Sequence, residues 1–118
     1  MTVQIFGVRK SQATRAAERF FKERRIQIQR VDLDQKPIAP GEIRRFVERF
    51  TWAGLLDTES NAYTNAGLKY LKLSDSDMLD RVIREPLLLR LPLVRAGNRI
   101  SIGHDEAAWG EIAAAPPR

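Results

Sequence analysis

The chain has 118 residues, 43% of them hydrophobic and 30% charged, with a formal net charge of +5. That length suits one domain with a single core. Having no cysteine and one histidine, it excludes disulfides, thiolate metal sites, thiol catalysis and a His-rich metal cluster. No apolar run approaches the roughly 18 residues of a membrane span. No signal-peptide pattern opens the chain, so a cytoplasmic location and no membrane contact are expected. The cations are spread over several segments without an uninterrupted basic block. That balance suits an acidic protein surface better than nucleic acid.

Val3, Ile5 and Phe6 form a short apolar run that stops at Gly7, and the cations Arg9 and Lys10 follow. Ala13, Ala16, Ala17, Phe20 and Phe21 then recur at helical spacing, with Ser11 placed to cap the first turn. Ile26, Ile28, Val31 and Leu33 predict a second strand over 26–32, which makes a βαβ unit with parallel strands. Pro40-Gly41-Glu42 opens a helix with its buried face at Ile43, Phe46, Val47 and Phe50. Trp52 to Leu73 reads as two or three short helices. Ser74-Asp75-Ser76-Asp77 starts another, carried by Met78, Leu79, Val82 and Ile83 and ended at Glu85-Pro86. Asp75 and Asp77 are helix-start residues in this reading, and no metal is expected. A hairpin is predicted with strands at 93–95 and 99–102, joined at Gly97-Asn98. Asp105 and Glu106 start a last helix containing Ala108, Trp109 and Ile112.

Several of these stretches resemble the arsenate reductase/Spx family in its short, glutaredoxin-like branch. Gly7-Val8-Arg9-Lys10-Ser11 is similar to the family's Gly-x-x-x-Cys turn, and Leu55-Leu56-Asp57-Thr58-Glu59 to its Leu-Leu-Asn-Thr-Arg. Leu87 to Val94 resembles its segment around a cis-proline, which places that role on Pro92. The resemblance implies an α/β, thioredoxin-like fold. Its four-stranded mixed sheet would be flanked by helices, with a helical insert, about 52–85, between the second and third strands. It implies a single domain over 1–113 and a disordered tail over 114–118. The family's reactive cysteine is replaced by Ser11, its charge at Glu59 is reversed, and the residue before Pro92 is Leu91.

Ser11 is then either a plain helix cap or an anion-contact position, with Lys10, Arg15 and Arg90 as the other anion-binding candidates. Arg90 is either a strand-edge cation or a clamp facing Ser11. A serine nucleophile would need a general base, and His104 is the one histidine that could supply it. The resemblance implies a redox-inactive, protein-binding module without a cofactor, linked to transcription or stress, as Spx-type relatives bind RNA polymerase. The alternative it implies is an arsenate reductase or glutaredoxin-like oxidoreductase whose chemistry is non-thiol or lost.

Overall fold

The computed structural model describes residues 2–114. The expected tail therefore lies outside the described residues beyond Ala114, which is itself the last residue of the final helix. The elements are β1 (Thr2–Gly7), α1 (Gln12–Glu23), β2 (Gln27–Asp32), α2 (Pro40–Leu55), α3 (Asn61–Ala66), α4 (Asp75–Arg84), β3 (Leu93–Ala96), β4 (Arg99–Ile102) and α5 (Glu106–Ala114). The four strands form one sheet in the order β2-β1-β3-β4. β1 runs parallel to β2 and antiparallel to β3, and β3 is antiparallel to β4. This is the mixed, thioredoxin-like α/β sheet that the strand pattern and the resemblance imply. The 12 residues of α1 provide the crossover that parallel neighbours require.

The chain divides into two compact units. Among the described residues the first comprises 2–36 and 91–114; the second is 37–90. In the first, Val3 and Ile5 of β1 and Val94 and Ala96 of β3 meet Ala17 and Phe21 of α1 and Trp109 and Ile112 of α5 in one apolar cluster. Alternation along the strands sends these side chains to one face. Gln4 points to the opposite face. There it donates to Gln29 at 3.2 Å and accepts from Arg95 Nη2 at 2.6 Å, so a polar row crosses three strands. The β3–β4 turn uses Gly97 at φ 62°, the positive first position of a II′ turn. The Leu91–Pro92 peptide bond is cis, and the Pro92 carbonyl accepts from the Gly103 amide at 3.0 Å.

α1 ends in a way its residues do not advertise. Arg25 takes φ 57°, its amide bonds to the Lys22 carbonyl, and the Ile26 amide bonds to the Phe21 carbonyl at 3.0 Å. That is a Schellman ending made with arginine where glycine is usual. Ile26, expected to open β2, serves instead as the apolar residue of this cap and packs on the cluster containing Phe21.

In the second unit α2 buries Ile43 and Phe46 and packs on α4. It runs past Phe50 to Leu55, across a kink at Thr51, where φ is 62° and ψ is 168°. Trp52, beyond the kink, donates its indole N–H to Asp75 Oδ1 at 2.7 Å and so ties α2 to the start of α4. Ser60 and Ser74 cap α3 and α4 through the amides of Tyr63 and Asp77. Pro86–Leu88 forms a 3-10 turn, and Leu89 makes a single antiparallel bridge with Leu56.

Candidate functional site at the start of the first helix

The site is built where β1 stops and α1 begins. The Ser11 amide bonds back to the Val8 carbonyl at 3.1 Å, which closes the turn. Ser11 has extended backbone angles, and its Oγ accepts from the Thr14 amide at 3.1 Å, so it is the N-cap of α1. Lys10 and Arg15 are exposed on either side of it. Arg90 belongs to the second unit, where it is exposed and its amide donates to the Leu55 carbonyl at 2.9 Å. Of the four anion candidates, Lys10 and Ser11 thus lie in the turn, Arg15 lies in the first part of α1, and Arg90 lies in the second unit.

Gly7 is required here by space. A Cβ at this position would stand 2.3 Å from Thr14 Oγ1 and 2.5 Å from Thr14 Cγ2. Thr14 is 3% exposed, and its hydroxyl has no hydrogen-bond partner among the described residues. The strand end and the helix thus touch through backbone on one side and threonine on the other.

A cavity of about 300 Å³ opens beside this contact. Gly7 and Val8 form its strand wall, Arg9, Thr14, Arg15 and Glu18 come from the turn and α1, and Arg30 and Asp32 come from β2. Its carboxylates are each opposed by an arginine. Glu18 meets Arg30 at 2.8 Å, and Asp32 meets Arg9 at 3.7 Å. The first pair is tight and its carboxylate is mostly covered. The second is long and its arginine is 86% exposed, so it holds Arg9 only weakly. Arg15 makes no ion pair among the described residues. The cavity therefore presents one uncommitted guanidinium and a second that is easily drawn away.

Nucleophilic chemistry finds little support in this geometry. Ser11 Oγ already serves the helix, and no side chain bonds to it among the described residues. His104 Nε2 lies 3.0 Å from Glu106, and its ring packs on Trp109 at 5.0 Å. Glu59 is exposed in the second unit. Asp75 is engaged by Trp52, and no group of three acidic or histidine side chains among the described residues is placed to hold a metal. Sequence reasoning missed Thr14, Glu18, Arg30 and Asp32. The opposite charges of Glu18 and Arg30 were visible, but their pairing depends on how β2 returns beside α1.

The sequence profile of the ArsC family matches residues 6–112, and the chain belongs to that family. It is 27% identical over 109 residues to the global transcriptional regulator Spx 2 of Oceanobacillus iheyensis, covering 90% of this chain and 79% of that protein. Its fold is similar to an arsenate reductase from Vibrio cholerae, with a TM-score of 0.77 and 16% identity over 95% of this chain and 96% of the other. A possible arsenate reductase from Streptococcus mutans gives a TM-score of 0.75 and 20% identity over 93% of this chain and 96% of the other. No helix among the described residues is long and apolar enough to cross a membrane.

Proposed function

We propose that this chain is a redox-inactive ArsC-family protein that acts as a cytoplasmic protein-binding module, linked to transcription or stress, and recognises an acidic partner surface. One observation carries the reading: at the start of α1 the chain has Ser11, whose Oγ is held as a helix cap by the Thr14 amide. A hydroxyl there cannot take the place of a thiolate as nucleophile without a base to activate it. The likeness to a protein described as a transcriptional regulator and the net charge of +5 support the partner side of the reading.

Within this reading Lys10, Ser11 and Arg15 are assigned to weak anion contact at the start of α1, Arg90 is a separate anion-contact candidate of the second unit, and Pro92 has a structural role. The decisive experiment measures arsenate and disulfide reduction with glutathione and with thioredoxin as donors. No turnover above the uncatalysed rate is expected. Turnover that disappears in Ser11→Ala would establish a serine-dependent reductase and overturn the binding-module reading. A phosphate titration followed by amide shifts tests the anion contacts, with shifts expected at Lys10 to Arg15.

A further inference from the structure

The charge of this protein is not evenly distributed. Residues 1–36 hold nine Lys/Arg against four Asp/Glu, while the remaining 82 residues hold eleven of each. The whole net charge of +5 therefore belongs to β1, α1, β2 and their connections. Within that segment Arg15, Arg19 and Lys22 are all exposed and recur at i, i+4 and i+7, which places them on one stripe of α1. None of the three makes an ion pair among the described residues. The acidic residue between them, Glu18, is turned aside by Arg30 at 2.8 Å and has a side chain only 14% exposed. The cavity at the N-terminal end of the stripe shares Arg15 with it.

We propose that this stripe and cavity form the docking surface for an extended acidic segment of a partner protein, with one carboxylate entering the cavity against Arg15 and Arg9. The inference rests on the binding-module reading and says where that module binds. Spacing supports an extended occupant. Arg15 and Arg19 are about 6 Å apart along the helix axis at a rise of ~1.5 Å per residue. Acidic residues at i and i+2 of a strand are about 6.6 Å apart. Duplex affinity grows with the number of phosphates that cations neutralise. Here three stripe cations are bordered by exposed Glu23 and by Asp32 in the cavity wall. Acidic neighbours repel a uniform polyanion, whereas a protein segment can place neutral or basic residues opposite them.

The test is an amide-shift titration of the full chain with an acetylated, amidated peptide that alternates Glu and Ser. The Gln-for-Glu peptide and a short DNA duplex serve as comparison ligands. Saturable shifts at Arg9 and from Thr14 to Lys22 are expected with the Glu peptide alone. R15E/R19E/K22E should weaken that binding about tenfold or more, whereas R44E/R45E/R49E, with the same change in charge on exposed α2 residues, should stay within about twofold. Circular dichroism confirms that both variants fold.

Equal losses in the two variants, or no saturable shifts on α1, would overturn the assigned surface. In those cases the binding-module reading stands if R15E/R19E/K22E still captures the same lysate protein as the unaltered chain. Tighter binding of the duplex than of the peptide at about physiological salt would overturn the acidic-protein reading and this surface together.

Discussion

The two compact units solve the problem of order differently. The first is organised by long-range pairing. Its strands come from both ends of the chain, and a shared apolar cluster joins β1, β3, α1 and α5. The second is organised by short helices with local signals at their ends, and serine side chains cap α3 and α4. The large exposed apolar residues Tyr70, Leu71 and Leu87 all lie in the second unit. Charge divides the same way: 37–90 holds eight cations and eight acids, so the excess of five lies in the first unit. A sheet closed by distant segments leaves α1 with one fully covered face and one open face. The open face is the place where charge can collect without a desolvation cost.

The largest effect that sharpens this comparison is a core deletion set against a surface one. Phe21→Ala removes a fully buried ring from the cluster of the first unit. It should lower unfolding free energy by about 3–5 kcal/mol in denaturant titrations. Tyr70→Ala, at a side chain 84% exposed in the second unit, should change it by no more than about 0.5 kcal/mol. A comparable loss at Tyr70 would mean that the aromatic ring is covered in solution.

Gly7→Ala comes next, because the added methyl collides with Thr14. A loss of about 1–3 kcal/mol is expected. Thr14→Ala in the same chain should recover part of it, since the two nearest colliding atoms, Oγ1 and Cγ2, are gone. Strictly additive losses in the double variant would disprove the contact.

Removing the helix caps is a milder test. Ser11→Ala, Ser60→Ala and Ser74→Ala should each cost about 1 kcal/mol. Hydrogen exchange should rise first in the helix that has lost its cap. If Ser11→Ala costs nothing, Ser11 Oγ does not serve the helix, and its role as a cap must be given up.

The smallest expected effects run the other way. Thr51 and Arg25 both have positive φ, which L side chains rarely adopt. Thr51→Gly should stabilise by about 1 kcal/mol and Arg25→Gly by roughly half that, read as shifts in the denaturation midpoint. A fall at Thr51, as for glycine in an ordinary helix interior, would show that α2 is unkinked in solution.

Much of this architecture was legible in the sequence because it depends on periodicity. Alternation marked the strands at Val3, Ile5 and Ile28, and helical spacing marked the faces of α1, α2 and α4. Ser11 and Ser74 declared themselves as caps by residue type and position. The extension of α2 past Phe50 was not legible, because the chain turns through a positive φ at a β-branched residue that local preference argues against. Arg24 and Arg25 marked the end of α1 by their charge, but the positive φ with which Arg25 closes it was hidden for the same reason. The 3-10 turn at Pro86–Leu88 and the isolated bridge at Leu89 were not legible either, because the apolar run Leu87 to Leu89 carries neither helical nor alternating spacing.

The candidate site divides along the same line. By itself the sequence determined that a serine opens α1, that its apolar face runs through Ala13, Ala17 and Phe20, and that cysteine chemistry is absent. These follow from residue identity and from a fixed rise and turn per residue. Only the tertiary structure decided that Gly7 lies against Thr14, that Arg30 takes Glu18 and leaves Arg15 unpaired, and that Arg9 and Asp32 meet across a cavity. Each of these pairs joins α1, or the turn before it, to a strand. Their distances are set by how the crossover lays α1 over two parallel strands, a relation that no local pattern encodes.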